Sequence, residues 1–107
     1  MVVVATVTYP NEPDATFDMK YYLSTHMPLV MDTWKSSGLQ KYEVVQFQKG
    51  PDGSDPAFSV QCTLTFGSSD QIEKALGLPD TKKIFDDVNN FSNKGPKFSV
   101  GEVTGTS

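Results

Sequence analysis

The alternation of apolar and polar residues predicts two strands of different character. Residues 2–9 are rich in β-branched side chains and apolar at both odd and even positions, so this strand should be covered on both faces. Its own helices would form one layer, and a partner surface the other. Residues 58–66 alternate strictly, which is typical of a strand with one face toward a core. The polar face of this second strand should meet a wetter environment.

Two further extended patterns and two helical regions complete the order of elements. Residues 39–49 and 97–104 predict strands, and the turn-rich stretch 50–56 joins the first of these to the strand at 58–66. The order β-α-β-β-α-β is typical of a ferredoxin-like fold, an α+β protomer with an antiparallel sheet and helices on one face. A length of 107 residues suits a single domain, 1–107.

Local signals set the start of the first helix and predict an interruption within it. Asp18 is a suitable N-cap, so the helix should begin directly after it, and Phe17 can pack on Tyr22 as a hydrophobic staple. Pro28 has no N–H and crowds the preceding turn. We therefore expect a kink or a break that exposes His26.

The end of the first helix and the second helical region carry similar signals. Gly38 suits the C′ position of the first helix. Ser68 and Gln71 form a capping-box motif before the second helical region. Residues 77–79, Gly-Leu-Pro, predict that this second region is split.

The first helix carries the only histidine of the chain. Four-residue steps place Tyr22, His26, Val30 and Trp34 along one side of the helix. The unperturbed pKa of histidine lies near neutrality, so proton chemistry at neutral pH is expected to start at His26. The alternative is a structural histidine that caps a helix end or ties down a loop. The hydroxyl of Tyr22, one turn away, can orient the imidazole or share a proton with it.

Composition narrows the classes of partner. The net charge is −4, and every basic residue is lysine, so the chain lacks the positive charge and the arginine forks that favour nucleic-acid binding. Cys62 is the single cysteine, which excludes an internal disulfide and fits a reducing compartment. The apolar start is short, and no apolar run reaches the roughly 20 residues that span a membrane. We therefore expect a cytoplasmic protein without nucleic-acid or membrane partners.

A lone histidine also bears on metals and cofactors. A mononuclear site with two histidines and one carboxylate needs a second imidazole, which one copy of this chain does not contain. The lack of arginine removes the usual fork for a polyphosphate cofactor. We therefore expect neither a metal nor a cofactor.

The segment around His26 resembles a family signature. The run Phe-Asp-x-x-Tyr-Tyr-Leu-x-x-His-Met-Pro-Leu at 17–29 is similar to that of the EthD family, and residues 87–93 resemble a second, weaker family segment. The resemblance implies a dimeric α+β barrel, a homodimer in which two ferredoxin-like protomers pair their sheets. The polar face of the 58–66 strand would then line the shared interior, and open solvent is the alternative. The resemblance also implies that His26 lies in a cavity between helices and sheet.

Such a cavity would take a hydrophobic aromatic small molecule. The candidate contact residues are Trp34, Phe85, Phe91 and Val30, although aromatic residues at helical spacing are also typical of plain core. Asp86 or Asp87 can serve as a carboxylate partner for His26, but a solvated helix end is the favoured interpretation of both. Cys62 lies in an apolar strand face and is interpreted as an inert core thiol.

Two classes of function compete. The first is a small cofactor-independent enzyme in which His26, assisted by Tyr22, moves a proton on an aromatic or polyketide-like molecule. The resemblance implies dehydratase, cyclase or isomerase activity of this kind, with an oxygen-dependent oxidoreductase, a cofactor-free monooxygenase, as the runner-up. The second class is a non-catalytic carrier or stress-related binding module that uses the same pocket.

Overall fold

The computed structural model describes residues 2–107 as a four-stranded antiparallel sheet with helices packed on one face. The strands are β1 (Val3–Pro10), β2 (Lys41–Gln46), β3 (Phe58–Phe66) and β4 (Lys97–Glu102). Their order across the sheet is β2-β3-β1-β4, and all neighbouring strands are antiparallel. The connections from β1 to β2 and from β3 to β4 each contain helices. The predicted ferredoxin-like α+β fold is therefore confirmed.

Each helical connection is divided into short segments. The first holds α1 (Met19–Tyr21), a π-helical turn (Tyr22–His26), α2 (Met27–Trp34) and a 3₁₀ turn (Lys35–Ser37). The second holds α3 (Ser69–Leu76), α4 (Thr81–Asp87) and a 3₁₀ turn (Val88–Asn90). None of the helices in residues 2–107 has the length and apolar character needed to cross a membrane.

The end signals of the first helix act as predicted. The Asp18 carboxylate accepts a hydrogen bond from the N–H of Tyr21 at 3.1 Å. The rings of Phe17 and Tyr22 pack edge to face with centroids 4.9 Å apart. Gly38 has a φ of 116°, the left-handed conformation that favours glycine after a helix.

The first helix is interrupted just before Pro28, where a π turn precedes the start of α2 at Met27, but the expected exposure of His26 is wrong. The N–H of Met27 bonds to the carbonyl of Tyr22, which is the wider spacing of a π turn. Because Pro28 has no N–H to donate, a widened turn just before it lets the chain continue into α2. His26 is only 4% exposed and lies inside the helical layer.

The second helical region is split as predicted, with a small difference at its start. The Ser68 hydroxyl accepts the N–H of Gln71 at 3.3 Å, as a capping box requires. The Gln71 side chain, however, accepts the N–H of Gly67 at 2.8 Å and not that of Ser68. Residues 77–80 separate α3 from α4.

Two strands are shorter than the sequence pattern suggests. β2 covers Lys41–Gln46 of the predicted 39–49, and β4 ends at Glu102. Leu39 is a core residue, 3% exposed, whose N–H bonds to the carbonyl of Trp34 at the end of α2. Its apolar character therefore reflects helix–strand packing and not membership of the strand.

The two faces of the sheet differ as predicted for β3. Ala5 lies opposite Leu64 on the helix side, and both are at most 2% exposed. On the opposite face Thr6 lies opposite Thr63, and Thr63 is also paired with Glu43 of β2. The second face of β1 therefore belongs to a surface rich in hydroxyl groups.

Candidate functional site

A cavity of about 210 Å³ lies between the helices and the sheet. Side chains of β1, β3, β4, α2 and α4 and of the π turn line it, and most of them are apolar. Five of the six predicted site residues are among them, namely Tyr22, His26, Val30, Trp34 and Phe85. A cavity of roughly 150 Å³ is enough for benzene, so this one has room for an aromatic ring.

The imidazole of His26 is paired with a carboxylate from the end of α4. Its Nδ1 lies 2.9 Å from Oδ2 of Asp87. The other oxygen of Asp87 accepts hydrogen bonds from the Tyr21 hydroxyl at 2.6 Å and from the Asn90 amide at 2.9 Å. Both carboxylate oxygens thus have partners in the first helical region, and one of them also accepts from Asn90, three residues along the chain.

The two acidic candidates have different environments. The Asp87 side chain is only 13% exposed, so its interpretation as a solvated helix end is wrong. Asp86 is 64% exposed and pairs with Lys82 at 3.1 Å on the helix surface, as that interpretation expected. The helix periodicity alone could not separate two adjacent carboxylates, because their direction depends on how α4 packs against the first helix.

The surroundings set the charges of this network. Burial lowers the pKa of His26 below its ordinary value, and the opposing effect of Asp87 is the smaller one. Burial pushes the pKa of Asp87 upward, but hydrogen bonds from Tyr21, Asn90 and His26 together hold it below its usual range. At neutral pH the network therefore consists of a neutral imidazole that donates Nδ1–H to an ionised carboxylate.

The second ring nitrogen of His26 retains accessible surface. No side-chain hydrogen bond within residues 2–107 engages Nε2, yet no buried side-chain nitrogen or oxygen in that range lacks a partner. Nε2 is therefore not fully buried, and the side chain that carries it lines the cavity. With Nδ1 protonated, Nε2 carries the free lone pair and can accept a proton.

Tyr22 contacts His26 through its ring. The Tyr22 and His26 rings stack with centroids 5.3 Å apart and an interplanar angle of 16°. The Tyr22 ring also packs edge to face against the ring of Tyr9, with centroids 5.9 Å apart. The predicted hydroxyl–imidazole contact is not made, and Tyr21 supplies the hydroxyl of the histidine network through Asp87.

Phe91 supports the histidine from outside the cavity. It is 3% exposed, and its ring centroid lies 4.5 Å from that of His26. It also packs against Tyr9, Phe17 and Tyr22 in an aromatic cluster. The structure therefore places Phe91 in the core behind the imidazole, while the half-exposed Phe85 lies where the cavity meets solvent.

The remaining lining residues include a tryptophan fixed by a hydrogen bond and two strand residues that the sequence analysis did not place at the site. Trp34 donates its indole N–H to the Thr81 hydroxyl at 2.9 Å, which fixes the ring along the cavity wall. Tyr9 and Cys62 line the same space. Burial raises the pKa of Cys62 to about 11, which agrees with an unreactive thiol. Within residues 2–107, no three His, Cys, Asp or Glu side chains gather as metal ligands.

A ferredoxin-like sheet with a histidine-bearing apolar cavity under its helices defines a small α+β protein with room for one organic molecule. The family model of the EthD domain matches residues 10–95, and the chain belongs to the EthD family. No curated protein sequence matches the chain.

Solved structures share the fold over nearly the whole chain. An EthD-like protein from Ralstonia eutropha JMP134 is 27% identical with a TM-score of 0.88, covering 99% of this chain and 95% of its own. SnoaB from Streptomyces nogalater, described as a cofactor-independent oxygenase, is 11% identical with a TM-score of 0.66, covering 98% and 93%. A protein from Jannaschia sp. CCS1, described as dimeric and ferredoxin-like, is 14% identical with a TM-score of 0.66, covering 96% and 100%.

Proposed function

We propose that this protein is a small enzyme in which His26 moves a proton on an aromatic or polyketide-like molecule, as a dehydratase, cyclase or isomerase. The observation that carries the proposal is the arrangement of the imidazole. Asp87 holds Nδ1 at 2.9 Å, and the ring, whose Nε2 makes no side-chain hydrogen bond within residues 2–107, lines an apolar cavity. A neutral, oriented base beside an apolar binding space suits proton transfer.

In the proposed reaction, His26 transfers the proton and Asp87 positions His26. Nε2 of His26 removes a proton from the bound molecule and returns it at another atom. The Asp87 carboxylate orients the ring and stabilises the positive charge that the imidazole gains. General acid–base catalysis of this kind accelerates a reaction by roughly 10²- to 10⁴-fold. No part of this sequence of events needs a metal or a cofactor from the protein.

The bound molecule is expected to contact the apolar wall. Val30, Trp34 and Phe85 line the cavity and offer one aliphatic and two aromatic surfaces. Flat rings gain both area burial and aromatic stacking from such walls. This lining supports a hydrophobic aromatic small molecule as the partner.

A second candidate uses oxygen at the same site. A carbanion left by proton removal can react with molecular oxygen, which would make the protein a cofactor-free monooxygenase. SnoaB, described as a cofactor-independent oxygenase, has the same fold, which supports keeping this reaction as the alternative. A carrier that only shelters its ligand is the non-catalytic alternative.

One experiment distinguishes the three candidate functions: proton transfer, oxygen-dependent oxidation and ligand carriage without catalysis. The protein is incubated with a panel of polyphenols, anthrones and quinones, with and without oxygen, and the products are analysed by mass spectrometry. Turnover without oxygen supports proton transfer, and turnover that requires oxygen supports the monooxygenase. Binding without turnover of any compound by the protein would contradict both enzymatic readings.

We further propose that the chain forms a homodimer through the hydroxyl-rich face of its sheet. Val45 and Phe47 follow Glu43 on β2 and its extension, and they are 44% and 38% exposed. Alternation places them on the face that Thr63 occupies. Apolar side chains among hydroxyl groups suit an interface between two sheets, and the structural relative from Jannaschia is described as dimeric.

A further inference from the structure

The cavity contains a second polar feature besides His26. Tyr9 of β1 and Tyr22 of the π turn both line it, and they are 2% and 1% exposed. Their rings meet edge to face with centroids 5.9 Å apart and an interplanar angle of 81°. Two phenols with their hydroxyls in one otherwise apolar space are costly to bury unless those hydroxyls have partners.

The hydroxyls have few partners in the protein. No side-chain hydrogen bond within residues 2–107 involves the hydroxyl of Tyr9 or Tyr22, and the Cys62 thiol lies 4.0 Å from the sulfur of Met27 instead. Within residues 2–107 neither hydroxyl is bonded to a carboxylate, an amide or a backbone carbonyl, and yet no buried side-chain oxygen is left without a partner. Both oxygens therefore retain accessible surface, and both residues line the cavity.

A count of protons shows what remains for a ligand. Each phenol has one O–H donor, and a hydrogen bond between the two hydroxyls would use one of the two protons. If Tyr22 donates to Tyr9, the Tyr9 proton is free, and the bond it receives strengthens it as a donor. Burial raises the pKa of both phenols above the ordinary value, so both stay protonated near neutral pH.

We propose that Tyr9, supported by Tyr22, donates a hydrogen bond to a carbonyl oxygen of the ligand, so that the cavity selects aromatic ring ketones. This inference rests on the proposed function and names its substrate class. When Nε2 of His26 takes a proton from the carbon beside the carbonyl, the C–H electron pair forms a C=C bond. The carbonyl π electrons then move to the oxygen, where the Tyr9 hydroxyl stabilises the enolate. The proton returns from His26 to carbon or to oxygen.

The test compares two probes that differ only at the oxygen. 1-Tetralone is an aromatic ring ketone with exchangeable hydrogens beside its carbonyl, and tetralin is the same bicycle without the oxygen. Trp34 is the only tryptophan and lines the cavity, so its fluorescence reports the binding of either probe. The unmodified protein should bind 1-tetralone more tightly than tetralin. The infrared carbonyl band of the bound ketone should lie below its position in cyclohexane.

Tyr9→Phe should reduce the preference for the ketone by roughly three- to tenfold, the value of one hydrogen bond, and return the carbonyl band toward the cyclohexane position. Tyr22→Phe should have a smaller effect of the same sign. Tyr42→Phe is the matched control, because Tyr42 lies on β2 outside the cavity lining. An unchanged preference and band in Tyr9→Phe would overturn the inference. So would an unshifted band in the unmodified protein, which needs no variant to fold.

Hydrogen exchange distinguishes this inference from the proposed function. In D₂O the protein should exchange the hydrogens at C2 of 1-tetralone, and His26→Gln should abolish this exchange while keeping the ketone preference. If exchange depends on His26 but not on Tyr9, and the protein shows no preference for the ketone, the inference about Tyr9 is wrong. The proposed proton-transfer function would still stand. A Tyr9-dependent preference without any exchange would contradict the proton-transfer function and leave the role of Tyr9 in binding.

Discussion

Tyr21 and His26, one π-helical turn apart, hold opposite oxygens of the Asp87 carboxylate at 2.6 Å and 2.9 Å. In an α-helix the residues that face the same side are three or four positions apart. The i to i+5 spacing of the π turn instead brings these two side chains to one side of the helix. The irregular turn before Pro28 thus creates the geometry of the site.

His26→Gln should lower catalytic activity by at least about a hundredfold and leave the melting temperature nearly unchanged. Glutamine can still donate to Asp87 and has a similar size, but it cannot accept and return a proton. Turnover and melting are measured on the same preparation. A destabilised variant with full activity would show that His26 is structural.

Asp87→Asn should reduce activity by roughly ten- to hundredfold, because the imidazole loses the group that orients it. Asp87 also raises the pKa of His26, so its loss should move the acidic limb of the rate–pH profile to lower pH. Asp86→Asn is the control, since Asp86 is exposed and pairs with Lys82. An unshifted acidic limb in Asp87→Asn would contradict the positioning role.

Tyr21→Phe should reduce activity by about three- to tenfold, the effect of one lost hydrogen bond. The Tyr21 hydroxyl helps to hold the pKa of Asp87 below its usual range, so that pKa should rise in the variant. The carboxyl carbon of Asp87, followed by ¹³C NMR during acid titration, reports this change. The same titration midpoint in both proteins would mean that the Tyr21 contact has no electrostatic effect on the network.

The sequence was sufficient for the order of elements and for most of the residues near the cavity. Strict alternation in β3, the Asp18 cap and the Gly38 terminus are local signals, and the structure contains each of them. Tyr22, Val30 and Trp34 were placed beside the cavity because α-helical spacing holds approximately across the turn.

The histidine network could not be derived in the same way. Its hydroxyl comes from Tyr21 and its carboxylate from Asp87. The α-helical pattern instead favours Tyr22 as the source of the hydroxyl. A π turn has no reliable sequence signature beyond a nearby proline, and the direction of Asp87 depends on packing between distant helices. Tyr9 was read only as a strand residue, since alternation does not reveal which core positions border a cavity.

The only histidine of the chain makes the pH dependence of stability assignable. In the unfolded chain His26 binds a proton at about pH 6.5, whereas burial lowers its pKa in the folded protein. The unfolded state therefore binds more protons as the pH falls below about 6.5, and stability decreases. Asp87, whose folded pKa is also lowered, loses its contribution only as the pH falls further, below about 4.

We therefore expect the melting temperature to fall between pH 7.5 and about 5, and His26→Gln to reduce this fall. Differential scanning calorimetry across this range measures both proteins. If the melting temperature changes equally with pH in the two proteins, or rises on acidification, the buried imidazole is not neutral in the folded protein.

A lysine at Thr63 should separate the proposed dimer. Thr63 lies at the centre of the hydroxyl-rich sheet face, between Thr6 and Glu43, so within one protomer Thr63→Lys can pair with Glu43 and be tolerated. Between two packed sheets the same charge would be buried at a cost of several kcal/mol per ion. Light scattering after size exclusion should therefore give a dimer for the unmodified protein and a folded monomer for the variant.

Ser36→Lys, at an exposed helix end, should remain dimeric. A monomeric unmodified protein at high micromolar concentration, or a dimer that survives Thr63→Lys, would show that this face is open to solvent.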